Sequence, residues 1–122
     1  MRQWCYVIYM NWDEGAYRSK VQEVLDQIEA AFSDVDPDVA ECDQSLGSMT
    51  ITLTDRSRVI ISMQPSVRQI WLALAAKGTA YHFNYDATKA QWLDDKGRGV
   101  ELLSYLNEYF RETCKLSLNL KS

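Results

Sequence analysis

Apolar residues recur along the chain with two different periods, and the change of period divides it into elements. Tyr17, Val21, Val24, Leu25, Ile28 and Phe32 follow one another at helical steps, a stripe wide enough to bury one face of an amphipathic helix. Asn11 is the expected N-cap, with Glu14 three residues on completing a weak capping box. Pro37, within Asp-Val-Asp-Pro-Asp, forbids continuation and marks a loop. From Met49 the period becomes two. Met49, Ile51 and Leu53 alternate with Thr50, Thr52 and Thr54, the pattern of a half-buried strand. Residues 55–57 form a tight connection to a second strand over 59–64. Pro65-Ser66 breaks it, and a third strand runs over 69–74. Lys77-Gly78 turns the chain into a strand over 79–85, and 91–93 form a last short one. Residues 94–99 make a turn. Leu102, Leu103, Leu106 and Phe110 then set out a second amphipathic helix. The tail over 115–121 alternates Leu116, Leu118 and Leu120, which pads the gap between helix and sheet or forms an extended cover.

The order is helix, consecutive strands, helix. Short connections between successive strands mean antiparallel neighbours. Two amphipathic helices have one sheet face to cover, which leaves the other to water. The expected fold class is therefore α+β: a two-layer sandwich in which an antiparallel β-sheet meander is covered on one face by N- and C-terminal helices. Residues 10–122 read as a single domain. Residues 1–9 read as an N-terminal extension of unassigned role, with Met10 an alternative start or the stretch a short strand.

Composition narrows the function classes. The 122 residues carry a net charge of −4, and a nucleic-acid binder is usually basic. No stretch of about 20 apolar residues appears, so no membrane partner is expected. Cys5, Cys42 and Cys114 form no CxxC pair, which fits a reducing cytoplasmic setting. The charge is unevenly placed. Between Asp13 and Asp43 ten acidic residues face only Arg18 and Lys20, a net −8 that leaves +4 for the remainder.

That segment is the first candidate site. Glu23, Asp26 and Asp34 are expected opposite the buried stripe with Glu29 at its flank, and Asp36, Asp38, Glu41 and Asp43 continue the row into an adjoining strand. Like charges at i, i+3 or i, i+4 cost about 0.2–0.5 kcal/mol each, so the row is not built for stability. It reads either as a solvated helix face or as a surface for a hard cation or a basic partner. Carboxylates suit iron, manganese, calcium or magnesium, and such a site would be weak, shallow and surface-bound. The second candidate lies on the open sheet face. Alternation sends Val59, Ile61 and Met63 inward and Ile60, Ser62 and Gln64 outward. It likewise buries Ile70 and Leu72 and exposes Gln69, Trp71 and Ala73. Ser62, Gln64, Gln69 and Trp71 should share one patch, and an aromatic among amides has the makeup of an interaction hot spot. Trp71 covered by its own strand neighbours is the competing reading. Arg56, Arg58 and Arg68 are expected to add a basic rim. Catalytic motifs are missing, His82 reads as a surface residue, and Gly97-Arg98-Gly99 is a weak phosphate signal.

Along Ile-Ser-Met-Gln-Pro-Ser-Val-Arg-Gln-Ile-Trp-Leu-Ala the chain resembles the frataxin family, in its bacterial branch. Gln64, Gln69, Trp71, Leu72 and Ala73 match its strand signature. Gly78 with Tyr81-His82-Phe83, then Trp92, Asp95 and Gly99, match further on. Glu29, Asp34, Asp36, Asp38, Glu41 and Asp43 match its acidic first helix and strand. Ser62 departs from the family's usual Asn and Met63 from its Lys or Arg, and Pro65 is differently placed. Ala30 and Ser33 stand where relatives often carry acids, and residues 1–9 have no counterpart. The resemblance implies a frataxin-like fold and an iron-binding, non-enzymatic accessory protein of iron–sulfur cluster assembly. It implies Fe²⁺ or Fe³⁺ on the acidic row, other divalent cations as alternatives, and docking on a cysteine desulfurase and its scaffold. A monomer is expected, with metal-dependent oligomers as an alternative. A metal-free acidic adaptor for a basic partner is the competing function. A ferroxidase is a third, without a His or Tyr among the acids after Tyr17.

Overall fold

Helix α1 spans Glu14–Phe32 and buries the residues of the expected stripe: Tyr17, Val21, Val24, Leu25, Ile28 and Phe32. The computed structural model describes residues 12–122. The expected cap Asn11 and the extension over 1–9 lie outside the described residues. Asp13 caps the helix instead, its Oδ1 accepting the Ala16 N–H at 2.7 Å. Ala16 cannot return a bond as the Glu of a capping box would.

Six strands follow: β1 (Ala40–Ser45), β2 (Ser48–Leu53), β3 (Arg58–Gln64), β4 (Gln69–Leu74), β5 (Thr79–Asp86) and β6 (Gln91–Asp94). Each pairs antiparallel with the next, in sequence order. Helix α2 (Leu102–Cys114) closes the fold, with Glu101 accepting the N–H groups of Leu103 and Ser104. The architecture is the expected two-layer sandwich. Met49, Ile51, Leu53, Val59, Ile61, Ile70, Leu72 and Phe83 line the covered face and meet both helices in one core. Burying each such side chain contributes about 1.5–3 kcal/mol. No helix among the described residues is long and apolar enough to cross a membrane.

Three connections fix the edges. Gly47 adopts φ 69° between β1 and β2, a left-handed conformation that favours glycine, and the flexible Met63 side chain packs against it. Between β6 and α2, the buried carboxylate of Asp94 accepts the N–H groups of Lys96, Arg98 and Val100 and the Arg98 Nε at 2.9 Å. The loop around Gly97-Arg98-Gly99, the weak phosphate signal of the sequence, thus turns the donors of Lys96, Arg98 and Val100 onto its own Asp94. The tail is the extended cover: Leu120 is buried, with Leu116 and Leu118 packed beside it. Gln27 of α1 bonds both backbone groups of Lys121 at 2.7 and 2.8 Å. Asn107 of α2 does the same for Leu120 at 2.9 and 3.0 Å.

Candidate functional site

The acidic row is divided rather than continuous. At 100° per residue Glu23 sits about 120° round the helix from Glu29. It pairs with Lys20 at 3.5 Å and lines a hollow of about 240 Å³ with Tyr85, Trp92 and Lys121. Asp26 and Glu29 turn the other way, toward β1, and line an open groove of about 830 Å³ with Arg18, Gln44 and Met63. Two amides tie this flank together. Gln22 Nε2 donates to Asp26 Oδ1 at 2.8 Å and to Gln44 Oε1 at 2.6 Å, and Gln44 Nε2 donates to Glu29 Oε1 at 2.9 Å.

The other acids are spread further along. Asp34 is exposed just past the helix end. Asp36 builds the turn at Pro37, its Oδ1 accepting the Asp38 N–H at 2.9 Å and its carbonyl the N–H groups of Val39 and Ala40. Glu41 and Asp43 stand exposed on alternate positions of β1, with half-buried Cys42 between them. Among the described residues no group of three or more His, Cys, Asp or Glu side chains gathers closely enough to hold a metal ion. Burial, reinforced by the charges of Glu29 and Asp43, pushes the Cys42 thiol up to about 11. It stays protonated at neutral pH and offers no thiolate to a soft ion.

The open sheet face is more tightly built. Ser62, Trp71 and His82 form one cross-strand row, and Gln64, Gln69 and Asn84 the next. Trp71 stacks on His82 with ring centroids 4.2 Å apart and planes at 13°. Its Nε1 donates to Gln69 Oε1 at 2.8 Å. Gln69 Nε2 reaches Asn84 Oδ1 at 3.1 Å and Asp95 Oδ2 at 3.2 Å, and His82 Nδ1 lies 3.6 Å from the same Asp95 oxygen. Trp71 is half-buried, so its strand neighbours cover part of it and leave part available. Beside it, Ile60, Ala73 and Ala80 are exposed and aligned across β3, β4 and β5, next to the aromatic stack.

All four expected patch residues come together. His82, Asn84 and Asp95 join them; alternation turns His82 outward but does not by itself set it beside Trp71, and it does not pick out Asn84 or Asp95. The signal for His82 was present: a hairpin closing between Leu74 and Thr79 must set Trp71 opposite His82. The expected basic rim is split. Arg56 and Arg58 lie at the opposite end of β3, about 20 Å from Gln64 at strand rise. Only Arg68 stays near, its guanidinium 5.8 Å over the Tyr17 ring. The Tyr17 hydroxyl is buried beneath the same corner, donating to the Gln69 carbonyl and accepting the Gln64 N–H at 2.9 Å.

Comparison with known proteins places this geometry. A family profile described as a frataxin-like domain matches residues 10–116. The "Iron-sulfur cluster assembly protein CyaY" of Paraburkholderia xenovorans is 31% identical over 96 residues, 79% of this chain and 86% of the relative. The protein of the same name from Delftia acidovorans is 39% identical over 72 residues, 59% of this chain and 62% of its own length. Among solved structures, the frataxin of Psychromonas ingrahamii superposes with a TM-score of 0.79 at 20% identity, covering 91% of this chain and all of that one. Trimeric frataxin from the yeast Saccharomyces cerevisiae, complexed with ferrous iron, gives 0.66 at 25% identity, covering 80% of this chain and 87% of that one.

Proposed function

Because this chain belongs to the frataxin-like family, we propose that it serves iron–sulfur cluster assembly as a small non-enzymatic accessory protein. Its relatives carry that role in their names. The observation that carries the reading is the sheet-face network of Trp71, Gln69, His82 and Asp95, a half-buried aromatic held in place by bonded side chains. Pre-ordered aromatic anchors lose little freedom on docking. Ser62, Gln64, Gln69 and Trp71 make the contact patch for a cysteine desulfurase and its scaffold, and the protein tunes sulfur transfer or iron delivery there. The carboxylates of α1 and β1 steer the encounter with a basic surface. The setting is the cytoplasm.

Iron is cargo in this reading, Fe²⁺ or Fe³⁺ held weakly at the surface by pairs of carboxylates. Glu29 with Asp26 on the helix flank, and Glu41 and Asp43 on the edge strand, are the residues to hold it. Glu23, Asp34, Asp36 and Asp38 add negative potential around them. The chain acts as a monomer, with metal bridging the acidic faces of two copies as the route to oligomers. Anaerobic titration of the ¹⁵N-labelled protein with Fe²⁺ tests the metal part. Selective broadening over residues 26–43 supports it, and uniform or absent broadening removes it.

The lack of a converging carboxylate group among the described residues favours a second reading, an acidic adaptor with no metal role. It requires partner binding that weakens steeply with salt and is unchanged by iron.

A further inference from the structure

Tyr17 is wholly buried in the core. As a member of the apolar stripe it could be replaced by phenylalanine without altering the pattern. The structure gives its hydroxyl a task the pattern does not contain. It donates to the Gln69 carbonyl and accepts the Gln64 N–H at 2.9 Å. These residues are a registered pair, the last of β3 and the first of β4. Helix α1 is thus bonded to the sheet backbone where the β3–β4 ladder opens into the 65–68 connection. Burial raises the phenol's pKa, so the hydroxyl keeps its proton and remains a donor at neutral pH.

The connection is shaped around this bond. Arg68 closes it at φ 53°, in the left-handed region, a conformation that costs a non-glycine residue energy and persists only where its surroundings impose it. Its guanidinium covers the Tyr17 ring and donates to the Pro65 carbonyl. From Gln69 the geometry passes outward through one side chain. Oε1 holds the Trp71 indole, and Nε2 reaches Asn84 and Asp95.

We propose that Tyr17 is the positioning residue of the sheet-face patch: its buried hydroxyl fixes the start of β4, and with it the Gln69 side chain that orients Trp71. The consequence for partner binding rests on the reading of that patch given above.

The test is Tyr17→Phe in the full chain, with Leu120→Ala as a variant that loosens the core at the tail, away from this corner. In ¹⁵N spectra of Tyr17→Phe the Trp71 indole and Gln69 side-chain amide resonances are expected to move. The Gln64 amide should exchange about tenfold faster, and affinity for purified cysteine desulfurase should fall about three- to tenfold. Leu120→Ala should leave the indole resonance and the affinity in place. An unmoved indole in Tyr17→Phe, or the same affinity loss in Leu120→Ala, overturns the positioning role. Failure of the patch reading looks different: Trp71→Ala then binds the desulfurase as the unaltered protein does. Should Tyr17→Phe not fold, Arg68→Gln, on the outer side of the corner, decides in its place, and an unmoved Trp71 indole there overturns the proposal.

Discussion

Asp94 shows how much one side chain decides. Burial alone would raise its pKa, but the Arg98 guanidinium and the N–H groups of Val100, Arg98 and Lys96 outweigh it and hold the carboxyl at about 2. A folded pKa below the ordinary 3.8 means stability that is present above about pH 4 and lost as pH falls toward 2. The expected contribution is on the order of 2 kcal/mol. Asp94→Asn should therefore flatten the acid limb of the denaturation profile between pH 4 and 2 while lowering stability at pH 7; an unchanged acid limb would contradict this. Cys42 gives a second residue-scale test. With its thiol pushed up to about 11, alkylation by iodoacetamide at pH 7.5, read site by site in a mass spectrometer, should run far slower than for a free-thiol peptide. None of this was legible in the sequence. Asp94 reads in the sequence only as the start of a turn and Cys42 only as a thiol outside any CxxC pair, because both environments are made by groups the chain brings in from a loop or a neighbouring element.

The elements themselves were legible wherever one face is buried against the core. The helical stripe of α1 and the alternation in β2, β3 and β4 are direct consequences of burial, and the structure reproduces them except at the end of β3, where Met63, expected inward, is only partly buried and lines the groove beside Arg18. Errors arose where a position's neighbours depend on more than its own element. The helical period sets Glu23 with Asp26 and Asp34 opposite the stripe and Glu29 at its flank, since all four avoid the core. Which flank each occupies depends on where β1 and the β5–β6 hairpin lie, and those positions come from the assembled sheet. Sequence proximity groups Arg56 and Arg58 with Arg68, although β3 runs its full length between them. Alternating leucines do not name their partner, so the sequence leaves the tail two roles, and Gln27 and Asn107 settle it. Leu120→Ala should cost about 2–4 kcal/mol in chemical denaturation. Asn107→Leu, which leaves two tail backbone groups unbonded, should cost about 1–3 kcal/mol. A loss under 0.5 kcal/mol in both would show that the clamp contributes little.

At the scale of the whole molecule, the division of charge and the division of layers act together. One helix and the edge strand beside it carry the −8 segment, while the open sheet face presents a hydrogen-bonded patch centred on β4, three strands from that edge. A partner that combines a basic region with an apolar contact can use both, the first setting how fast it arrives and the second how long it stays. Glu41→Gln with Asp43→Asn should slow association and reduce its salt dependence while leaving dissociation nearly unchanged. A change confined to the dissociation rate would place those acids in the contact itself.

The Trp71 patch is the proposed docking site for the cluster-assembly machinery. Titration calorimetry of the Trp71→Ala protein against the cysteine desulfurase and scaffold, with the fold verified by its ¹⁵N spectrum, tests it most directly. A hot-spot aromatic is worth at least about 2 kcal/mol, so affinity should fall about thirtyfold or more; an affinity equal to that of the unaltered protein would contradict the account.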